Sequence, residues 1–384
     1  MRTWAEIDLD AVRFNFRSVK SKTNAKIMAI IKADAYGHGV KEVARVLLEE
    51  GAYAFGVATA DEAIELRNMG FDIPILILGV IFEEDYHRII QNDIALSVTS
   101  FVQAKAINQF AESMCHKARI HIKLDTGMGR IGMVCGDDDS VIADEISKIA
   151  KLPFLEIEGM FSHMSKADET DKAYANMQFD RFKNVCRFLE EKGINIPLKH
   201  IANSASIATL PHTHMDMVRM GIVTYGLNPS DEVNENHISL KPVMTLKSRI
   251  TQIKTVCHDS KISYGGHYTA KTGSKIATIA IGYADGFSRT LSGKAKVLIN
   301  GHFADIVGNI CMDQCMADVS HIDNINIGDE VIIFGSDGNN TITVDSVAKL
   351  MGTINYEIVC SVARRVPRAY IDNGNTICTL NRLC

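Results

Sequence analysis

The segment Ile30-Ile-Lys-Ala-Asp-Ala-Tyr-Gly-His-Gly39 overlaps the apolar run Ile27 to Ile31 and leads into a helical pattern beginning at Val40. It predicts a buried strand, a turn and the N-terminus of a helix. The turn carries Lys32 at the strand exit, the phenol of Tyr36, and two glycines that let the backbone approach a ligand. The same strand, turn and helix pattern then recurs along the chain.

Short apolar runs alternate with amphipathic stretches over the first 235 residues. The predicted strands span residues 27 to 32, 54 to 58, 74 to 79, 94 to 98, 119 to 124, 157 to 162, 198 to 202 and 218 to 224. The predicted helices include residues 9 to 21, 40 to 50, 61 to 69, 102 to 113, 141 to 151 and 172 to 192. Eight βα repeats predict an α/β fold, a TIM-type (β/α)8 barrel with one helix before its first strand. A doubly wound open sheet is the structural alternative.

The pattern changes at about Lys241. Runs rich in β-branched residues, separated by Gly, Asn and Asp turns, lie at residues 244 to 256, 275 to 281, 295 to 299, 330 to 334 and 353 to 359. Only residues 344 to 351 look helical in this part. We therefore expect two domains, a barrel at 1 to 235 and a mostly β C-terminal domain at 236 to 384, joined at the polar stretch 231 to 237.

Composition limits the classes of function. The chain has 41 Lys and Arg residues against 46 Asp and Glu, and no basic tract, so nucleic acid is not an expected partner. Acidic residues near the N-terminus and the lack of an 18-residue apolar run argue against secretion and membrane spanning. None of the nine cysteines forms a Cys-x-x-Cys pair, which argues against a metal or redox site and favours a reducing cytoplasm.

Five polar residues fall at or just beyond the C-terminal ends of predicted strands: Lys32, Asp125, His163, Ser204 and Arg219. Taken singly, a residue of any of these types is more commonly a surface residue, or a core residue whose hydrogen bonds are satisfied. In a βα barrel, however, this face carries the active site. A desolvated lysine loses its proton more easily and can form a Schiff base with an aldehyde, for which pyridoxal phosphate is the first candidate.

A competing motif, Gly127-Met-Gly-Arg-Ile-Gly132, matches the dinucleotide-binding pattern G-x-G-x-x-G and follows a predicted strand. It does not open directly into a helix. The next helix begins with Asp137-Asp-Asp139, whose carboxylates would repel a pyrophosphate. Lys123 and Arg130 bracket the loop instead, and a guanidinium there could hold a small carboxylate substrate.

At this point the motifs resemble those of the alanine racemase family, pyridoxal-phosphate enzymes with a barrel, from Ile7 to Tyr370. They are Lys32-Ala-Asp-Ala-Tyr-Gly-His-Gly39, Lys123-Leu-Asp-Thr-Gly-Met-Gly-Arg130, Phe161-Ser-His163, Ala202-Asn-Ser204, Val218-Arg-Met-Gly221, Ser263-Tyr-Gly265, Ile281-Gly-Tyr-Ala-Asp-Gly286, Cys311-Met-Asp-Gln314 and Ile354-Asn-Tyr-Glu357.

The resemblance implies two opposed acid/base groups, Lys32 for D-alanine and Tyr264 for L-alanine, with His163 between Tyr264 and Arg219. It assigns cofactor binding to Lys32, Tyr36, His163, Asn203, Ser204, Arg219, Gly221, Ile222 and Tyr356. It assigns substrate binding to Arg130, Met312 through its amide, Lys123 and Tyr283. By the same resemblance Lys123 can carry a carbamate that orients Arg130.

The implied function is an isomerase that interconverts L- and D-alanine through an external aldimine and supplies D-alanine for peptidoglycan. The implied assembly is a homodimer with shared active sites. A decarboxylase on the same barrel would not need the Tyr264 base, and a non-catalytic carrier would lack the second domain. Serine or broad-specificity racemases remain alternatives, although the bulk of Tyr356 favours alanine.

Overall fold

A computed structural model describes residues 1 to 136 and 138 to 383, so Asp137 of the acidic run lies outside the described residues. The chain divides into two compact units. The barrel unit comprises Val12–Ala35 and Val40–Lys241, and the second unit comprises Met1–Ala11, Tyr36–Gly39 and Pro242–Cys384. The second unit thus includes the strand Thr3–Asp8, which the sequence-based division assigns to the first domain. The joint at residues 231 to 237 stays a prediction.

Eight parallel strands form the barrel, as predicted. In spatial order they are Met217–Met220, Lys26–Ile30, Ala54–Val57, Ile75–Ile77, Ala95–Val98, Ala118–Asp125, Leu155–Phe161 and Leu198–His200. Two backbone hydrogen bonds link the ends of this series, from Asp216 N to Lys199 O (3.1 Å) and from Arg219 N to Ala202 O (3.0 Å). The open-sheet alternative is therefore excluded. A two-residue strand, Met133–Val134, pairs beside Leu124 and Asp125.

Helices alternate with these strands. They span Leu9–Lys20, Val40–Glu49, Ala60–Asn68, Glu83–Gln91, Phe101–Ser113, Ser140–Ile149, Ala173–Glu191 and Ser204–Thr209. Short side chains fix where several of them begin. Thr59 and Glu62 form a capping box, and Ser100 accepts a hydrogen bond from Gln103 N. Short 3₁₀ turns at Pro211–Thr213 and Ile222–Tyr225 complete this half of the chain.

The second unit is mostly β, as predicted. Its ten-stranded sheet runs in the order Asn340–Ile342, Glu330–Asp337, Lys296–Ile299, His302–Ile306, Cys315–Asp318, Lys275–Ile279, Met244–Thr255, Thr3–Asp8, Arg368–Asp372 and Asn375–Leu380. Strand Met244–Thr255 also pairs with Glu330–Asp337, which closes six of these strands into an antiparallel barrel. A separate hairpin joins Ser260–Ile262 to Tyr268–Ala270.

The prediction of a strand at residues 353 to 359 was wrong. This segment forms the helix Asn355–Cys360, which follows the helix Val344–Met351 that the sequence did predict. Asn355, Ile358 and Val359 are its buried residues, three and four positions apart, and Asn355 Nδ2 donates to Asp345 Oδ1 at 2.7 Å. Packing of one helical face therefore outweighs the β preference of the β-branched side chains.

Candidate active site

Lys32 opens a left-handed turn at the end of the first barrel strand. Residues 33 to 36 have φ values of 52°, 55°, 53° and 51°, although none is glycine. This conformation costs an L-residue roughly 1–2 kcal/mol, so it persists only where other contacts impose it. Ala33 N donates to Glu62 Oε1 at 2.7 Å, and Val40 N donates to Asp34 Oδ1 at 2.9 Å. Two carboxylates thus hold the backbone that follows Lys32.

Tyr36 lies at the end of this turn and belongs to the second unit. Its ring is buried and lies 6.2 Å from the ring of Tyr356, centroid to centroid. Burial, and then the nearby Cys360 thiol, raise the pKa of the Tyr36 phenol above its usual value. Tyr36 therefore stays a neutral phenol, which can donate a hydrogen bond to an anion.

The glycine-rich loop that resembles a dinucleotide motif wraps around Asp125. Asp125 Oδ1 accepts from the amides of Gly127 (3.0 Å), Met128 (2.8 Å) and Gly129 (3.0 Å), and Oδ2 accepts from Arg130 N (3.1 Å). Burial raises the pKa of Asp125, but these hydrogen bonds outweigh it and the pKa is lowered. Because these amides already bind a carboxylate, the loop has none of them left for a pyrophosphate, which argues against the dinucleotide alternative.

Lys123 is the buried cation of this region. Its side chain is 2% exposed, and Nζ donates to Leu124 O at 2.5 Å. Burial, followed by the nearby charge of Arg219, lowers the pKa of Lys123 to about 8. Part of the population is therefore a neutral amine near neutral pH. Arg130, at the end of the loop, is exposed.

Arg219 is buried near the C-terminal end of the strand Met217–Met220. Its Nη2 donates to Ser162 O (2.6 Å) and Ile201 O (3.2 Å) and lies 3.2 Å from His163 Nδ1. Burial, and then the charge of Arg130, lower the pKa of Arg219 to about 9, which still leaves it protonated at neutral pH. Burial and nearby cations hold the pKa of His163 well below its usual range, so His163 is a neutral imidazole.

Two buried histidines and one partly buried glutamate behind Arg219 escaped the sequence analysis. His200 Nδ1 lies 3.0 Å from Arg219 Nη1, and His200 Nε2 lies 3.0 Å from His121 Nδ1. Glu158 lies beyond His121. The available signal was a histidine within two predicted strands, at 119 to 124 and 198 to 202. Their meeting could not be predicted, because it depends on the strand order, which places the strands of His121 and His200 on either side of Leu155–Phe161.

Four of the residues assigned to cofactor binding, Asn203, Ser204, Gly221 and Ile222, lie at two neighbouring strand ends. Asn203 caps the helix Ser204–Thr209 by accepting from Ser206 N at 3.0 Å. Ser204 Oγ accepts from Gly221 N at 3.0 Å, just before the 3₁₀ turn that Ile222 begins. The start of a helix and the start of a 3₁₀ turn, where backbone amides have no partner within the helix itself, therefore lie side by side.

Tyr264 lies in the loop of the hairpin in the second unit, and its side chain is 68% exposed. The preceding Ser263 has φ 62° and ψ −178°, a region essentially restricted to glycine. Ser263 Oγ donates to Asn309 O at 2.6 Å, and Asn309 Nδ2 donates to Tyr264 O at 2.7 Å. The backbone before and after Tyr264 is therefore anchored. The strained backbone of Ser263 is another feature that sequence patterns did not reveal.

Tyr283 and Met312 form a second exposed group in this unit. Tyr283 N donates to Cys311 O at 3.0 Å, and Ala284 N donates to Met312 O at 3.0 Å. Gly282 packs so closely on this segment that a Cβ there would clash with its carbonyls. The Tyr283 side chain is 41% exposed and that of Met312 is 53% exposed.

The predicted site residues thus divide between the units. The barrel unit carries Lys32, Lys123, Arg130, His163, Asn203, Ser204, Arg219, Gly221 and Ile222. The second unit carries Tyr36, Tyr264, Tyr283, Met312 and Tyr356.

Family models match both parts of the chain: "Alanine racemase, N-terminal domain" at residues 7–229 and "Alanine racemase, C-terminal domain" at residues 243–370. The alanine racemase of Clostridium kluyveri is 48% identical over 97% of this chain and 95% of its own length. The structure of the Clostridium difficile alanine racemase superposes with a TM-score of 0.95 at 43% identity, covering 100% of this chain and 99% of that one. The Bacillus anthracis alanine racemase with bound L-Ala-P gives 0.93 at 36% identity, covering 100% and 98%.

These full-length matches identify the chain, with its βα barrel and antiparallel β domain, as an amino-acid racemase, a class of isomerase. More narrowly, the chain belongs to the alanine racemase family, whose members depend on pyridoxal phosphate. Among the residues that the structure describes, no helix is long and apolar enough to cross a membrane.

Proposed function

We propose that the protein interconverts L- and D-alanine with pyridoxal phosphate bound at the barrel end. The observation that carries the proposal is a concentration of positive charge. Arg219 Nη2 lies 3.2 Å from His163 Nδ1, and after burial the charges of Arg219, Arg130, Lys123 and Lys32 each lower the pKa of His163, so four basic side chains lie near one imidazole. Asp125, the carboxylate of this region, is already engaged by the loop amides. Such a site suits a ligand that carries a phosphate and a carboxylate.

The residues present fit the cofactor. The proposed donors for a phosphate are the Ile222 amide, the hydroxyl of Ser204, the phenols of Tyr36 and Tyr356, and the Gly221 amide, which donates to Ser204 Oγ in this structure. Asn203 is proposed to bind the cofactor as well. Arg219 presents donors only, so it suits a ring nitrogen that accepts. When bound, pyridoxal phosphate withdraws electrons from the substrate α-carbon, so that its proton can be removed by a modest base.

Two residues move the α-proton in this proposal. Lys32 acts on the face that serves D-alanine, and Tyr264 acts on the face that serves L-alanine. The anchored backbone around Tyr264 supports a role that needs a fixed phenol. His163 and Arg219 are proposed to stabilise the phenolate form of Tyr264, since a neutral imidazole can donate to the phenolate from one nitrogen while its other nitrogen accepts from the guanidinium.

The substrate carboxylate is proposed to meet Arg130 and the amide of Met312, with Tyr283 beside them. Lys123, part of whose population is neutral near pH 7, is suited to the carbamate that would orient Arg130. Tyr356 is proposed to limit the space for the substrate side chain to a methyl group, which favours alanine over larger amino acids.

We further propose that the protein is a homodimer in which Tyr264, Tyr283 and Met312 of one subunit complete the site of the other. The exposure of all three side chains in the chain supports this, because groups that handle a substrate proton or carboxylate are normally shielded from water in the working site. The division into domains at 1 to 235 and 236 to 384 and a cytoplasmic role in supplying D-alanine for peptidoglycan are part of the same proposal, and rest on the family relationship.

The direct test is covalent mapping. Purified protein loaded with pyridoxal phosphate should absorb near the band of a protein-bound Schiff base, and borohydride should abolish that band. Mass analysis of the digested protein should find the reduced cofactor on Lys32. Lys123, a second lysine whose pKa is lowered by burial, serves as the internal control and should stay unmodified. A label on Lys123, or on no lysine, would contradict the proposal.

Arg219→Glu tests the proposed contact with the ring nitrogen. A carboxyl group there would favour protonation of that nitrogen, so racemisation should slow by roughly 100-fold, a loss typical of removing one charge-stabilising donor. A long-wavelength absorption band should accumulate during turnover, and more pyruvate should be released. If the variant has neither slower turnover nor a new band, Arg219 does not act on the ring.

A further inference from the structure

Arg219 is a buried cation without a direct counter-ion. Arg219 is 4% exposed, and among the described residues its guanidinium is bound by backbone carbonyls and imidazole nitrogens rather than by a carboxylate. An ionised group in a low-dielectric interior is costly unless it is paired or fully hydrogen-bonded. A chain of side chains behind Arg219 leads to the carboxylate of Glu158.

Hydrogen-bonding rules fix the direction of this chain. An arginine has donors only, so His200 Nδ1, 3.0 Å from Arg219 Nη1, must accept and the His200 proton sits on Nε2. That Nε2 lies 3.0 Å from His121 Nδ1, which must therefore accept in turn. The His121 proton then sits on Nε2, which faces Glu158 Oε2 at 3.7 Å. Burial lowers the pKa of both histidines, so each imidazole is neutral and carries one proton.

Glu158 is fixed as an acceptor from its other side. Its Oε1 accepts from Arg119 Nε at 2.7 Å. Burial raises the pKa of Glu158, but the nearby His121 ring and the Arg119 guanidinium outweigh burial and the pKa is lowered. Glu158 is therefore a carboxylate near neutral pH and presents an acceptor to each neighbour.

The backbone is shaped to bring these groups together. Strand pairing passes from Ile120 opposite Ile157 to His121 opposite Gly159, so Glu158 is the extra residue of a β-bulge. A bulge turns a side chain away from its regular direction. At Gly159, a Cβ would clash with Nδ1 of the His121 ring, so only glycine leaves room for the imidazole. The bulge at Glu158 and the glycine at position 159 thus both allow the His121 ring to lie beside Glu158.

We propose that Glu158 is a positioning residue that acts through His121 and His200 to hold the Arg219 guanidinium in a single orientation. The inference rests on the proposed role of Arg219 at the cofactor ring. By placing a negative charge 3.7 Å from His121 Nε2, Glu158 favours the tautomer that keeps the proton on this nitrogen, and His200 then presents a lone pair to Arg219. With the opposite set of protons, His200 would present an N–H to the N–H groups of Arg219, and the contact would become repulsive.

The first test measures the tautomers in the wild-type holoenzyme. Protein labelled with ¹⁵N-histidine would be examined by ¹H–¹⁵N NMR, with the two signals assigned from His121→Asn and His200→Asn variants. We expect both histidines to be neutral, with the proton on Nε2. A proton on Nδ1, or an imidazolium at either position, would overturn the proposal. This measurement needs no variant of Glu158 and does not depend on the role of Arg219 in catalysis.

The second test compares Glu158→Gln with Arg119→Gln, since each removes the same ion pair and only the first removes the carboxylate. In Glu158→Gln the amide oxygen should face Arg119, leaving its NH₂ group toward His121 and moving both histidine protons to Nδ1. Turnover should fall about 10-fold, with KM for alanine within about twofold, as is typical when the support of a functional group is lost. Arg119→Gln should keep the wild-type tautomers and activity within about twofold.

Equal losses in both variants, or wild-type turnover in a Glu158→Gln protein whose tautomers have changed, would overturn the proposal. Failure of the proposed function gives a different pattern. In that case Arg219→Glu would leave turnover and absorption unchanged, while the tautomers of His121 and His200 would still follow Glu158.

Discussion

Replacing Lys32 by alanine is expected to abolish racemisation in both directions, by more than about 10⁴-fold, because it removes both the covalent attachment point and one proton-transfer group. Lys26→Ala is the matched control. Lys26 starts the strand that leads to Lys32, and its Nζ lies 4.0 Å from the centre of the Tyr53 ring. This control should keep wild-type turnover. Initial rates from L-alanine and from D-alanine, measured separately, would check the result.

Tyr264→Phe should still bind the cofactor and should distinguish proton exchange on one face of the substrate from exchange on the other. Deuterium wash-in at the α-carbon should continue for D-alanine and nearly stop for L-alanine, because only the group on one face is lost. Tyr268→Phe, which removes a phenol from the same hairpin, is the control and should exchange both enantiomers. Equal loss for both enantiomers in Tyr264→Phe, or no loss, would contradict the two-base assignment.

Mixing these two inactive proteins is expected to restore activity. In a dimer that pairs a Lys32→Ala chain with a Tyr264→Phe chain, one shared site inherits both lesions, and the other combines intact Lys32 with intact Tyr264. Random mixing makes about half of the dimers mixed, each with one good site of two, so roughly a quarter of wild-type activity should return.

The two chains would be co-refolded at equal concentration, with mixed dimers confirmed by native mass spectrometry. Lys32→Ala refolded alone and Tyr264→Phe refolded alone should stay inactive. If mixed dimers form and no activity returns, each site takes both residues from one chain and the shared-site proposal fails. If no dimers form at any concentration at which the wild type is active, the proposed assembly fails as well.

Sequence alone predicted most of the elements, because their signals are local. Each barrel strand is a short apolar run, and each helix repeats its buried positions every three or four residues, as Val43 and Leu47 do. The same local reading found Lys32 at a strand exit and the change to β structure near residue 241. It failed at residues 353 to 359, where β-branched composition favours a strand but one buried helical face decides the structure.

Only the tertiary structure revealed two kinds of feature. One is contact between polar groups far apart in sequence, and the other is backbone conformations that no sequence pattern indicates. The loop Gly127 to Gly132 matches a dinucleotide motif in sequence, but in the structure its amides donate to Asp125. The left-handed turn after Lys32 shows no glycine at its four central positions and is imposed by Glu62 and Asp34. The chain of side chains from Arg219 to Glu158 joins four barrel strands. Local sequence sets whether a segment prefers helix or strand. Strand order and register decide which buried polar groups come close enough to form hydrogen bonds with one another.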